Sequence, residues 1–117
     1  MTIEQFNSMK RIMEFDLSIY LPTMINSGLY NRIQTLELTA YVGASYTHFA
    51  KEQNIQVSDI DKLNIKEFLC NFFKSNVRPE ISEIEKNVIK KKYEELLNTN
   101  RDIIQKFIEK IAELASK

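Results

Sequence analysis

The chain has 117 residues, with 16 Lys or Arg against 16 Asp or Glu, one cysteine, two glycines and two prolines. Balanced charge excludes a global attraction to nucleic acid or to an anionic membrane, and a single cysteine excludes an internal disulfide. The length fits a single helical domain, 1–117, that folds without a metal or disulfide staple, and few chain breaks among good helix formers predict an all-α, compact array of four to five helices.

The N-terminal segment and the hydropathy pattern bear on location. MTIEQFNSMKRIMEFDL carries acidic residues among its apolar ones, which does not fit a signal peptide. No run approaches the roughly 18–20 apolar residues that a membrane span needs. We therefore expect a cytoplasmic protein with no membrane partner.

The first helix is predicted over 2–21, between a capping box that starts at Thr2 and the break expected at Pro22. A second apolar ridge, formed by Ile12, Phe15 and Ile19, lies on a different side of this helix from the main stripe. A helix that is apolar on two sides is either central in the bundle, the interpretation we favour, or carries a patch for a partner. The main stripe consists of Ile3, Phe6, Met13, Leu17 and Tyr20.

The second helix, predicted over 33–53, has a single charged residue, Glu37, between Ile33 and Ala50. Small side chains along it let another helix approach closely, so we expect it to be the buried central helix, with Gly43 at a close contact. His48 precedes Glu52 by four residues, which predicts a surface ion pair. The apolar stripe is Leu38, Val42, Tyr46 and Phe49, and the small flank is Ala40, Gly43, Ala44 and Ala50.

Two helices are predicted in the next part of the chain, over 64–75 and 80–97. The segment NIKE, from Asn64 to Glu67, has capping-box spacing, and Pro79 fits the first turn of the later helix. Cys70 flanks the apolar face of the earlier helix, where a structural thiol is the expected role. That face consists of Ile65, Phe68, Leu69, Phe72 and Phe73.

The last segment, 100–116, carries a long apolar stripe. Asn100 either caps a fifth helix or forms a polar layer inside one long helix that continues from the fourth, and both interpretations stay open. The second interpretation predicts a homodimer in which the C-terminal helices pair as a short coiled coil. The dimerisation stripe would be Ile104, Phe107, Ile108, Ile111 and Leu114.

The sequence contains no recognisable catalytic, cofactor-binding or metal-binding pattern. Its one histidine and one cysteine have no metal-ligand spacing, and two isolated glycines form no phosphate-binding loop. We therefore expect no enzyme, no cofactor and no metal.

The basic cluster KNVIKKKYEE places Lys86 and Lys90 on one side of a helix, with Glu83 and Glu94 beside them. Interspersed acids indicate a solvated face. A few basic side chains at a helix edge are nevertheless sufficient for weak contacts with phosphate.

From Ile33 to Leu97 the chain resembles the helical, SAM-like core-binding domain of tyrosine recombinases and phage integrases. The resemblance lies in the order and spacing of YVGASYTHFAKEQNI, SDIDKLNIKEFLCNFF and ISEIEKNVIKKKYEELL. It implies a DNA-clamping module, with phosphate contacts at Lys66, Lys74, Arg78, Lys86 and Lys90. The turn NVRPEISE, with one arginine and two glutamates, departs from the family's serine- and arginine-rich turn, and the family's catalytic half is absent.

These features together favour a small non-catalytic regulatory or interaction protein, of phage or mobile-element origin if the resemblance holds. A protein partner is the first hypothesis, and it includes an inhibitor or immunity protein. A stand-alone DNA-binding module is the alternative.

Overall fold

Five α-helices make up the fold in the computed structural model, which describes residues 1–116. The predicted all-α architecture is confirmed, and no strand occurs within those residues. No helix in this part of the chain is long and apolar enough to cross a bilayer. The helices are α1 (Ile3–Ser27), α2 (Arg32–Glu52), α3 (Asp59–Asn76), α4 (Glu83–Leu97) and α5 (Arg101–Ala115).

Helix α2 is the central helix, as predicted, because it packs against each of the other four. Its small residues allow this close packing: a Cβ added at Gly43 would lie 2.7 Å from Cδ1 of Leu69 on α3. The hydroxyls of its buried threonines donate to backbone carbonyls one turn earlier, so burying them leaves no unpaired polar group. These threonines are Thr35, Thr39 and Thr47.

The prediction that α1 ends before Pro22 is wrong, because the helix continues through Pro22 to Ser27. Pro22 removes one backbone donor, yet its side chain is exposed, where water can hydrate the carbonyl that loses its partner. Leu21 and Met24 are buried on the core side, so tertiary packing keeps this last stretch helical. Gly28 then ends the helix in the left-handed conformation, with φ of 69°.

Helices α3 and α4 begin at serines rather than at the predicted positions. Ser58 caps α3 and forms a reciprocal capping box with Asp61, so the helix starts before Asn64. Ser82 caps α4 in the same way with Glu85, and Pro79 therefore lies outside the helix. Both starts carry the signature of a serine followed three residues later by an acid.

Helix α5 is a separate helix, because α4 ends at Leu97 and the Asn100 side chain accepts a hydrogen bond from the Asp102 amide at 2.8 Å. The single-rod interpretation, with Asn100 as a polar layer, is therefore wrong. Helix α5 packs on α1 and α2, with Ile104 and Ile111 fully buried.

The proposed dimerisation stripe is thus occupied within the chain. Phe107 stacks on Tyr41 of α2, with ring centroids 4.1 Å apart, and Ile108 and Leu114 pack against the same core. The homodimer stays a prediction, because an apolar stripe does not reveal whether its partner belongs to the same chain or to a second one.

Candidate interaction surface

The second ridge of α1 faces solvent. The exposed fractions are 48% for Ile12, 65% for Phe15 and 37% for Ile19. The expectation that the ridge packs inside the bundle is therefore wrong. Helix α1 covers the core with one row of residues at four-residue spacing, and the ridge lies outside that row. The core-facing row is Met9, Met13, Leu17 and Leu21, with Met24 beyond it.

An apolar groove lies beside this ridge, between α1 and the C-terminal end of α2. Its volume is about 370 Å³, and Met9, Ile12, Phe49 and Ile55 form its apolar walls. The Phe49 side chain is 52% exposed, although its place in the α2 stripe predicts burial. We call Ile12, Phe15, Ile19 and Phe49 the α1–α2 face.

A second cavity, which we call the seam pocket, is bounded by α1, α2 and α5 and has a volume of about 380 Å³. Tyr46 and Phe49 line both the groove and the pocket, so the two cavities adjoin each other. The pocket combines apolar and polar side chains. Its lining residues are Asp16, Tyr20, Val42, Ser45, Tyr46, Phe49, Arg101, Gln105 and Ile108.

The polar centre of the seam pocket is a pair formed by Asp16 of α1 and Tyr46 of α2. The Tyr46 hydroxyl donates a hydrogen bond to Asp16 Oδ2. Burial and this carboxylate raise the pKa of Tyr46 well above its usual value, and burial and Asp16 also raise the pKa of Tyr20. Both phenols are therefore neutral at physiological pH, and the negative charge lies on Asp16.

Sequence reasoning did not identify Asp16, Tyr20, Tyr46 or Arg101 as members of a site. Asp16 and Tyr46 are 30 residues apart, and no local pattern indicates that two such side chains meet. One signal was available: Asp16 interrupts the apolar ridge between Ile12 and Ile19, on a helix with few other charges on that side.

The basic residues assigned to phosphate binding lie on α3, on α4 and between them, mixed with acids. Lys66 pairs with Glu94, and Lys86 pairs with Glu83 at 3.2 Å between Nζ and Oε1. Lys74 and Arg78 are exposed, and Lys90 is half-buried. The DNA-binding hypothesis thus remains a prediction, without a concentrated basic surface behind it.

The two chemically reactive side chains are held in structural roles. His48 Nε2 forms a hydrogen bond with the carbonyl of Leu96 at 2.9 Å, whereas the expected partner, Glu52, pairs with Arg101. The Cys70 thiol is buried and its Sγ contacts the Lys86 carbonyl at 3.7 Å. Burial raises the pKa of this thiol, which makes it a poor nucleophile.

Residues 1–116 contain no group of three or more His, Cys, Asp or Glu side chains placed to share a metal ion. Comparisons with protein-family models, with curated proteins and with solved structures found no match for this chain.

Proposed function

We propose that this chain is a small non-catalytic regulatory or interaction protein that binds a protein partner through the α1–α2 face. The observation that supports this proposal best is an apolar groove lined by exposed Ile12 and Phe49, with exposed Phe15 on the same ridge of α1 as Ile12. These side chains are not needed to pack α1 on the core, because Met13, Leu17 and Leu21 are among the residues of α1 that are buried there.

The chemistry of this face favours protein over nucleic acid. Removal of large apolar side chains from water by a partner lowers the free energy of the complex. Aromatic residues in or beside a groove often dominate the binding energy of protein interfaces. Phosphate binding needs unpaired cations instead, and two of the five predicted phosphate contacts, Lys66 and Lys86, already have glutamate partners. A helix laid along the groove is the recognition mode that fits this shape.

The test compares matched substitutions in the full chain. Ile12→Asp and Phe15→Asp place a charge on the face, and Ile84→Asp places the same charge on α4, where Ile84 is 77% exposed and lies outside the face. We expect all three variants to fold, with circular dichroism like the parent chain. Proteins recovered from the native host by the parent should be lost with Ile12→Asp and Phe15→Asp and retained with Ile84→Asp.

The opposite pattern would refute the proposal. If the double variant Ile12→Asp, Phe15→Asp unfolds, the ridge belongs to the core. If it folds and recovers the same proteins, the face is not the binding surface. Recovery of DNA that is lost on charge reversal of Lys86 and Lys90 would favour the recombinase-like interpretation instead.

A further inference from the structure

The seam pocket has an open acceptor at its centre. Asp16 Oδ2 accepts from the Tyr46 hydroxyl, while Oδ1 accepts no hydrogen bond from any group in residues 1–116. Oδ1 is not buried, and Asp16 lines the pocket. A carboxylate with one occupied and one accessible oxygen offers a single strong hydrogen-bond acceptor.

The walls of the pocket suit an organic cation. Tyr20, Tyr46 and Phe49 line the pocket together with Asp16, and aromatic faces attract ammonium groups. The phenols stay neutral because burial raises the pKa of both tyrosines. Asp16 and Arg101 are therefore the two charged side chains that an incoming cation meets in the lining.

Arg101 does not cancel the charge of Asp16. Its Nε lies 3.0 Å from Glu52 Oε1, so the guanidinium at the edge of the pocket is already paired. Of these three charged residues, Arg101 and Glu52 form an ion pair with each other, and Asp16 is the carboxylate without a cationic partner. Gln105, the other polar residue of α5 in the lining, carries no charge.

The pocket also lies in line with the proposed binding face. Asp16 is one helical turn from Ile12 and Tyr20, and Phe49 belongs to both the face and the pocket lining. A partner that contacts Ile12 and Phe49 therefore lies next to Asp16.

We propose that the seam pocket binds the ammonium group of a lysine side chain that the protein partner inserts when it docks on the α1–α2 face. This inference rests on the proposed function. Lysine fits better than arginine, because a guanidinium prefers both carboxylate oxygens and Tyr46 already occupies one. The methylene stem of the lysine would pack along Val42 and Ile108 in the lining.

The first experiment uses pentylammonium as a probe of the lysine side chain and follows the amide signals of the full chain by NMR. We expect saturable shifts centred on Asp16, Tyr46 and Phe49, with millimolar affinity. Pentanol and butylguanidinium should bind at least fivefold more weakly. Asp16→Asn, which keeps an acceptor for Tyr46 but removes the charge, should weaken pentylammonium binding at least tenfold.

Glu14→Gln is the matched control, because Glu14 is an exposed acid on the same helix that lines a different cavity, beside Phe6 and Phe68. This variant should bind pentylammonium like the parent chain. The inference is overturned if pentanol binds as tightly as pentylammonium, or if Asp16→Asn and Glu14→Gln behave alike.

The second experiment separates this inference from the proposed function. In the capture assay, Asp16→Asn should reduce recovery of the partner at least tenfold, and Glu14→Gln should not. Loss of the partner with Phe15→Asp but full recovery with Asp16→Asn would overturn only the lysine inference. Micromolar binding of pentylammonium with no dependence of partner recovery on Asp16 would assign the pocket to a free amine and overturn the inference as stated.

Discussion

Gly43 is a residue at which one added methyl group would meet a neighbouring side chain at close range. Its missing Cβ would lie 2.7 Å from a methyl carbon of Leu69, which is itself fully buried. Overpacking of this kind typically lowers the free energy of unfolding by about 1–3 kcal/mol. Replacing a helical glycine by alanine raises it by about 1 kcal/mol. We expect Gly43→Ala to lower the free energy of unfolding by about 1 kcal/mol, as measured by urea denaturation.

A double variant shows whether Leu69 is the cause. Leu69→Ala removes the obstructing methyl groups, so adding Gly43→Ala in that background should be neutral or stabilising. If Gly43→Ala costs the same in both backgrounds, the contact with Leu69 does not limit this position.

The hydrogen bond between Tyr93 and Thr47 supports a second prediction at this scale. The two hydroxyl oxygens are 2.7 Å apart, and the single hydroxyl hydrogen of Thr47 is directed to the Gly43 carbonyl, so Tyr93 is the donor. Burial raises the pKa of Tyr93 to about 12, so the phenol keeps its proton. Tyr93→Phe should lower the free energy of unfolding by about 1 kcal/mol. Tyr30→Phe, at a half-buried tyrosine, is the control.

The sequence predicts the role of a single residue where that role depends on its neighbours along the same helix. The small-residue flank of α2 indicates a close contact at Gly43, and Leu69 supplies it. The partners of Asp16 and His48 could not be predicted, because their contacts join distant parts of the chain and depend on the helix arrangement.

At the scale of whole helices, the start of α4 combines a cap with an ion pair that joins it to α2. Glu85 accepts from the Ser82 amide and pairs with Arg32, and the hydrogen bond from Arg32 is the largest cause that lowers the pKa of Glu85, to about 2. A carboxylate with a lowered pKa stabilises the fold above its unfolded pKa, near 4.5, and this contribution disappears as the pH falls through about 2.

Glu85→Gln tests this pair, because glutamine keeps one acceptor oxygen for the Ser82 amide of the capping box and loses both the charge and the second acceptor, which binds Arg32. We expect the variant to be less stable at pH 7 by up to about 1 kcal/mol and to lose less stability than the parent chain between pH 4.5 and 2. Urea denaturation at several pH values measures both effects. Glu83→Gln, at an exposed ion pair in the same turn, is the control; equal pH profiles for the parent and Glu85→Gln would contradict the assignment.

Helix α5 offers a matched pair of neighbours. Ile104 is fully buried, whereas Ile103 is exposed. We expect Ile104→Ala to lower the free energy of unfolding by about 2–5 kcal/mol and Ile103→Ala to change it by less than about 0.5 kcal/mol. A small effect at Ile104 would mean that α5 does not contribute to the core as the fold requires.

Element boundaries show how far local patterns extend. The existence and order of the five helices follow from apolar periodicity, yet two starts were misplaced because Asn64 and Pro79 offered competing signals to Ser58 and Ser82. The end of α1 was misplaced because Pro22 is tolerated wherever buried neighbours such as Leu21 and Met24 hold the helix. The first error arises from competing local cap signals, and the second from packing that acts across the chain.

At the scale of the whole molecule, the distribution of apolar surface predicts the oligomeric state. The apolar stripe of α5 packs against the core of the same chain, whereas the apolar side chains of the α1–α2 face are exposed, and two of them, Ile12 and Phe49, line a groove. A stable interface buries about 800 Å² per partner and involves roughly 20–30 residues on each side. The four exposed apolar side chains of the α1–α2 face are too few for that, although they suit a single docking helix.

We therefore expect the purified chain to sediment as a monomer of 13.8 kDa at micromolar concentration, with no change for Phe15→Asp. A dimer that Phe15→Asp dissociates would mean that the α1–α2 face binds a second copy of the chain. A dimer that only substitutions at Ile104 or Ile111 dissociate would mean that α5 leaves its own core to pair, against the packing described above. Sedimentation equilibrium of the parent chain and Phe15→Asp, at several concentrations, distinguishes these outcomes because only self-association makes the apparent mass rise with concentration.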